Sequence, residues 1–600
     1  MGVNTPRPDI CLATARRLLV AVCLLNVVMV VIMHVQMPLP PHSSHDGFLL
    51  VPQLQQLISG ASPDNALFGM FSPTWFSSHA LSGGSTGWPG FFERVLGNVQ
   101  SHTWIDAPHP LALAAAVSSF TPGGTMVPAL VLAGYLLVLL LALYDIGRQV
   151  ASRRVGVLAA VIATGCPAVF GTARYIEPHL PIAAISTLVV ALLLRTQGLR
   201  RFWTCGLVSI VLWTLSRTGE GSGDAVIAGL IVVGPVFATI IQSDRTLSGF
   251  KWMLGFLGLS VPFLCLADLG WMVEAMERVT RAFADPAVQT DVVEKGGLLS
   301  HPLGWMSAYG ILFFTDYLRP ALALFVPVGL WGLLRAKVSH RWVIALWFWV
   351  PFLALSWMQR KAAWYGIGLV PPFVLWLAIG VDALNRSGLR RMVMGVAVLQ
   401  LLVLSLVSES SFSGVAGLFR EPVPIHDWRL RRIDLLRPMD TDADRRVVSE
   451  LEGVVSWMRK QEEQRPVALV TMGTQHDYAS RYYLSMNLPG VEVINLTDPR
   501  VRKTRYRSLH PDDFSVFIFL DDGLSAWPPD SRQMSWLRTN LRCFDGDPLD
   551  SFLTAVLSRG PVHREGMYVL TSTVGGELLA GQVWSGFNEP VAVENRFCGE

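Results

Sequence analysis

The chain has 600 residues, of which 51% are hydrophobic and only 16% charged, and its mean hydropathy is +0.42. Soluble domains carry about 25% charged residues, so this balance excludes an ordinary globular protein. The formal net charge of +3 is too small to point to nucleic acid, and the 20 tryptophans suit a chain that meets two membrane–water interfaces.

An apolar helix needs about 20 residues to cross the hydrocarbon of a bilayer. Runs of that kind occur near 18–37, 126–145, 155–173, 179–195, 203–216, 224–241, 252–271, 319–334, 342–357, 364–383 and 392–408. The sequence therefore predicts a membrane all-α region of about eleven transmembrane helices. A shorter apolar stretch, 302–315, reads as a re-entrant or interfacial helix. The first run is longer than a signal-peptide core and no small-residue cleavage site follows it, so it reads as a retained helix. With the N-terminus inside, the inner segments carry 17 Lys and Arg, whereas the much longer outer loops between residues 38 and 419 carry nine. The positive-inside rule supports that orientation, and an odd number of spans then places the C-terminal region outside.

Two outer loops are long, 38–125 and 272–318. Segment 47–60 in the first is amphipathic enough to lie on a membrane surface. The region from about 420 changes character. Segment 445–462 has helical periodicity with Asp442 or Asp444 as its N-cap. Strand-like runs come after it at 466–471, 491–496, 514–520 and 566–571, which predicts a small soluble α/β domain. The expected division is 1–419 for the polytopic region and 420–600 for an extracytoplasmic α/β domain. Of seven cysteines, Cys11, Cys23, Cys166, Cys205 and Cys265 lie in or beside apolar runs and read as core residues. Cys543 and Cys598 are free to pair as a disulfide if their region is extracytoplasmic, and the sequence leaves that pairing open.

Ionisable residues at the edge of an apolar layer are costly and tend to be functional. Four such clusters fall on the predicted outer face. His45-Asp46-Gly47 comes just after the first helix; Asp-Gly is also an ordinary turn pair. The grouping of His42, His45 and Asp46 admits a metal site, but that spacing alone is weak. Arg174-Tyr175-Ile176-Glu177-Pro178-His179 is a short loop before an apolar helix, where Glu177 either serves a reaction or complements the helix dipole. Arg217-Thr218-Gly219-Glu220 is the third cluster, with a solvated tight turn as its plain alternative. The fourth, Gln359-Arg360-Lys361-Ala362-Ala363-Trp364-Tyr365, places two cations on the outer side against the charge rule. Such an exception suits an anionic partner such as phosphate, or else a lipid-headgroup anchor. Asp440-Thr441-Asp442-Ala443-Asp444 begins like a calcium loop, but Arg445 and Leu451 stand where Gly and Glu are needed, so it reads as a helix cap.

Taken in order over roughly residues 16–383, these features resemble the polytopic glycosyltransferases of the GT-C fold. The likeness is to the protein O-mannosyltransferases and the bacterial aminoarabinose transferases that act on lipid A. It is carried by an acidic residue in the first outer loop, Asp46; by Pro108-His109-Pro110-Leu111; by the stretch 153–194 with its polar loop; and by 356–380, in which Lys361, Tyr365 and Pro371 fall where the family pattern puts them. The chain departs from that pattern in three places. Gly47 stands after Asp46 where the family often has Glu, Glu177 stands for an Asp, and Arg217 for a Lys. Charge is kept at the second and third of these, so the resemblance bears on the reaction class more than on the substrate.

The resemblance implies transfer of a sugar from a polyprenyl-phosphate carrier to an acceptor hydroxyl of a lipid, glycan or protein on the extracytoplasmic face of a bacterial inner or plasma membrane. It makes Asp46 the first choice as base and Glu177 the second. Lys361, Arg360 and Arg217 then stabilise the leaving phosphate, and Arg174, Tyr175, Tyr365 and His109 contact substrate. Inversion at the anomeric carbon is expected, with no cofactor; a divalent ion bridging phosphate and Asp46 stays open. Two other classes compete. A transporter or flippase of a lipid-linked anion predicts an inverted repeat, and none is visible. A GT-C ligase or polymerase of polysaccharide uses similar outer charges.

Overall fold

The computed structural model describes residues 17–28, 126–173, 179–218, 222–242, 309–357, 363–409, 441–460, 467–470, 480–495, 516–520 and 563–572, with short gaps inside these blocks. The chain divides into two compact units. The described part of the first ends at Glu409, and that of the second begins at Thr441.

The first unit is helical. In chain order its helices are α1 (Leu19–Val28), α2 (Met126–Val150), α3 (Arg153–Gly165), α4 (Pro167–Thr172), α5 (His179–Arg195), α6 (Phe202–Ser216), α7 (Ser222–Gln242), α8 (Val326–Leu333), α9 (Arg341–Trp357), α10 (Val370–Ala383) and α11 (Ser387–Glu409). Among them, Leu130–Val150, Tyr365–Ala383 and Ser387–Leu404 are long and apolar enough to cross a membrane, and six shorter apolar helices accompany them. The expected span at 252–271 lies outside the described residues.

The core forms where helices are apolar all round. Every residue of α3 from Val155 to Gly165 is buried, and α5 and α10 are buried along nearly their whole length. A helix with no polar face belongs in the centre of a bundle. Accordingly α3 packs on α2, α10 and α11, and α5 packs on α2, α6 and α7.

The stretch 155–173, expected as one helix, is two. Pro167 has no N–H to donate, so the α3 ladder stops at Gly165 and Cys166 bonds back to the carbonyl of Ala163 at 3.2 Å. The carbonyl of Gly165 is then left without an intrahelical partner. Gln400 on α11 supplies one: its Nε2 donates to Gly165 O at 2.7 Å and to Leu318 O at 3.3 Å. Its Oε1 accepts from the backbone N–H of Ala321 at 3.0 Å and of Leu322 at 3.4 Å. One turn earlier on α11, Ala397 lies against Gly165 so closely that a Cβ there would stand 2.6 Å from the Ala397 carbonyl oxygen.

The two expected spans rich in proline are also mixed. Residues 319–334 contain a 3-10 turn, Leu322–Phe325, before α8, and 364–383 open within a 3-10 turn, Ala363–Leu369, before α10. Proline sits in the first turn of α8 and of α10, where its missing N–H costs nothing.

Charge collects at one end of the bundle. Asp145 on α2 is only 8% exposed. It accepts from Arg148 at 2.7 Å, from Gln149 at 2.8 Å and from Arg195, the last residue of α5, at 2.7 Å. The N–H of Ser339 in the α8–α9 turn donates to the carbonyl of Val150 at 3.0 Å, so that turn belongs to the same end. Asp382 and Arg390 pair at 3.0 Å across the α10–α11 turn. Cys23, Cys166 and Cys205 are free and buried, as expected of core thiols, while Cys543 and Cys598 lie outside the described residues.

In the second unit, helix α12 (Thr441–Arg459) precedes strands β1 (Val467–Val470), β2 (Val493–Asn495), β3 (Val516–Leu520), β4 (His563–Glu565) and β5 (Tyr568–Ser572). The sheet order is β2-β1-β3-β5-β4. β1 runs parallel to β2 and β3, and β5 runs antiparallel to β3 and β4. α12 buries Val447, Leu451, Val454, Val455 and Met458, a stripe at helical spacing, and it packs on the β4–β5 hairpin. Beneath the sheet, the hydroxyls of Tyr568 and Ser480, both fully buried, bond at 2.7 Å.

Each unit has a testable consequence. In the first, Gln400→Leu orphans backbone groups that have no water to turn to. Each such group costs about 1–3 kcal/mol, so the thermal midpoint of the protein in detergent falls clearly. A midpoint equal to wild type would show that Gln400 holds nothing together. In the second unit, burial, and secondarily the charge of Glu450, push the Tyr568 phenol well above its ordinary range, against the opposing bond from Ser480. A group whose folded pKa is raised contributes stability below its unfolded value of about 10 and loses it as pH rises past that value. In an absorbance titration, the difference between wild type and Tyr568→Phe is therefore one phenol that ionises only as the second unit unfolds. A difference that titrates near pH 10 in the folded protein would refute the burial argument.

Candidate functional site

α5 has 17 residues and is therefore about 25 Å long. Arg195 at its last position joins the Asp145 network, so His179 at its first position marks the opposite end of the bundle. His179 is buried, and its ring meets that of Tyr365 edge-on, with centroids 6.5 Å apart at 73°. Tyr365 is half-buried on the 3-10 turn Ala363–Leu369, which packs against α5, α7, α9 and α10.

Three features hold that turn. His179 meets it from α5. Ile231 of α7 lies against Gly368. At Gly366, a Cβ would run into the hydroxyl of Tyr317 and the ring of Tyr309, both fully buried. Tyr317 closes a π-helical turn, Phe313–Tyr317, an uncommon element that recurs at functional positions. The turn is anchored by Phe313, which packs edge-on with Tyr317 at 5.2 Å and stacks on Phe373 of α10 at 4.4 Å. His179, Tyr309, Tyr317 and Tyr365 thus form an aromatic cluster with several hydrogen-bonding atoms at one end of the bundle.

Two of the four charged groups found in the sequence run up to this cluster along the chain. Glu177 precedes His179 by two residues and Lys361 precedes Ala363 by two. Of the nine candidate residues, Tyr365 is described. Asp46, His109, Arg174, Tyr175, Glu177, Arg217, Arg360 and Lys361 lie outside the described residues. Thr218, next to Arg217, is buried, and its hydroxyl donates to Thr214 O at 2.7 Å. Sequence reasoning did not select His179, Tyr309 or Tyr317. A signal existed for His179, which closes the charged loop, whereas Tyr309 stands inside the apolar stretch 302–315 and Tyr317 two residues after it, in none of the four charged clusters. Among the described residues, no group of three or more His, Cys, Asp or Glu side chains converges as a metal site would require.

No family model matches the sequence, and no curated protein matches it. Solved structures do. ArnT from Cupriavidus metallidurans, in its crystal structure bound to undecaprenyl phosphate, superposes with a TM-score of 0.50 at 12% identity, over 94% of this chain and 100% of that one. The fold is GT-C-like. Looser likenesses relate the chain to the oligosaccharyltransferase AglB from Archaeoglobus fulgidus, with a TM-score of 0.41 at 10% identity over 93% of this chain and 75% of that one, and to the mycobacterial arabinofuranosyltransferase AftD, with a TM-score of 0.39 at 12% identity over 89% and 37%. The sequence resemblance and the structural likeness thus agree on the architecture.

Proposed function

We propose that this protein is a membrane glycosyltransferase that moves a sugar from a polyprenyl-phosphate carrier to an acceptor hydroxyl on the extracytoplasmic side. The observation that carries the proposal is the contact of His179 with Tyr365 in a GT-C-like bundle. Two residues of backbone span at most about 7 Å. Chain connectivity therefore keeps the backbone of Glu177 within that reach of His179, and that of Lys361 within that reach of the turn bearing Tyr365. A carboxylate and a cation borne near one aromatic contact suit a reaction that takes a proton at one atom and leaves charge at another. The crystal structure of ArnT holds undecaprenyl phosphate, which supports a polyprenyl phosphate as the donor's carrier.

In this reading the carboxylate of Asp46 accepts the proton of the acceptor hydroxyl as its oxygen attacks the anomeric carbon. The bond from that carbon to the phosphate oxygen breaks, and the electron pair leaves with the polyprenyl phosphate. Lys361 meets the developing charge, with Arg360 and Arg217 beside it. Glu177 orients the acceptor, while Arg174, Tyr175, Tyr365 and His109 contact sugar or phosphate. One displacement inverts the anomeric centre, and no cofactor is required. The N-terminus is cytoplasmic, residues 1–419 form the membrane domain, and 420–600 form an extracytoplasmic α/β domain.

The test is sugar transfer by the purified protein, with a panel of polyprenyl-phosphate sugars as donors and a membrane extract as acceptor. Wild type releases free polyprenyl phosphate. Asp46→Asn and Lys361→Ala each lower the rate by about 100-fold or more, the usual scale for loss of a general base or of charge stabilisation. Binding without release by wild type refutes the enzyme and favours a carrier of lipid-linked anions. Full activity in both variants keeps the enzyme class and removes these residues from the site.

A further inference from the structure

We propose that Tyr317 and Tyr309 are positioning residues: by bearing on Gly366 they fix the turn that presents Tyr365 and lies just after Lys361, and so set the affinity for the polyprenyl-phosphate donor. This inference rests on the function proposed above.

Residues Ala363–Leu369 are 3-10 rather than α-helical, and runs of more than about four such residues are uncommon because the hydrogen-bond geometry is poor. A seven-residue run therefore owes its shape to its neighbours. One of the tightest of them is at Gly366, where the side chain is absent and the hydroxyl of Tyr317 and the ring of Tyr309 take its place. Both tyrosines are fully buried, and Phe313, one turn before Tyr317, is clamped on Phe373 and Phe348. The platform under Gly366 is thus rigid. One residue away, Tyr365 meets His179. A displacement of the turn at Gly366 moves Tyr365 directly. Misplacement of a binding group by about 1 Å costs as much as 100-fold in a positioned reaction.

The experiment compares three variants of the full-length protein in detergent. Gly366→Ala forces a methyl against the Tyr317 hydroxyl. Gly366→Ala combined with Tyr317→Phe removes that hydroxyl and relieves most of the overlap. Gly165→Ala is the control, because its methyl is also crowded, there by the backbone of Ala397, on helices that do not carry the turn. Undecaprenyl phosphate in mixed micelles is the binding probe, and an undecaprenyl-phosphate sugar is the transfer substrate. Gly366→Ala raises the Kd for undecaprenyl phosphate and the donor KM by about 10-fold or more, with a smaller effect on kcat. The double variant recovers much of that loss. Gly165→Ala lowers the thermal midpoint and leaves donor KM within about threefold of wild type.

An unchanged Kd and KM in Gly366→Ala, an absence of recovery in the double variant, or an equal KM rise in Gly165→Ala overturns the positioning role while leaving the glycosyltransferase reading intact. If wild type binds undecaprenyl phosphate and transfers nothing, and Gly366→Ala still weakens binding, the enzyme reading fails and the positioning role stands. A wild type that neither binds nor transfers overturns both.

Discussion

A helix broken inside a bilayer exposes backbone groups where no water can bond them, and Gln400 is this protein's answer to its most central break. Pro167 interrupts the buried run from Val155 to Thr172, and the freed carbonyl of Gly165 bonds to α11 rather than to solvent. One amide side chain then bonds four backbone groups, two as donor and two as acceptor. Those groups belong to α3 and to residues 318–322, and Gln400 itself belongs to α11. Three segments far apart in sequence are thereby held in register. α10 packs on α3, and the 3-10 turn bearing Tyr365 runs directly into α10. The junction thus fixes the core beside α10, while the shape of the 3-10 turn is set by its own neighbours at Gly366 and Gly368.

The two ends of the bundle are built from different physics. At the Arg195 end, Asp145 is nearly buried and is bonded by Arg148, Gln149 and Arg195. A carboxylate withdrawn from water needs such partners, and removing one leaves an uncompensated charge. Arg148 and Arg195 remain about half exposed, so the pair is an interfacial clasp of α2 to α5. At the His179 end the contacts are between rings, with Phe313, Phe373 and Phe348 behind them. Aromatic packing fixes position without introducing charge of its own.

Much of this was legible in the sequence where one physical rule dominated. Helices α2, α5, α6 and α9 begin and end within a few residues of the apolar runs that predict them, because burial in lipid demands unbroken apolar helix. The runs fail where a second rule competes. Pro167 divides 155–173, and Pro371 and Pro372 mark where α10 begins after a 3-10 turn. α11 starts at Ser387, before the apolar run at 392, because Arg390 pairs with Asp382 at the rim instead of ending the helix. In the second unit the apolar runs contain β1, β2, β3 and most of β5. β4 was missed because His563-Arg564-Glu565 is a three-residue polar edge strand, and edge strands carry little apolar pattern. For the site, the sequence supplied four separate charged clusters but not the adjacency of His179 and Tyr365, which depends on contacts between α5 and a turn some 180 residues later.

That adjacency also explains why the tyrosines behind the turn could not be found by pattern. Tyr309 and Tyr317 are eight residues apart, and a regular α-helix would set them about 80° apart around its axis. They converge on Gly366, and the chain between them includes a π-helical turn, which adds residues to the helical circuit. No periodicity of hydropathy encodes such a turn. Its signature is only a tyrosine fully buried among phenylalanines, which becomes visible once the fold has closed over it.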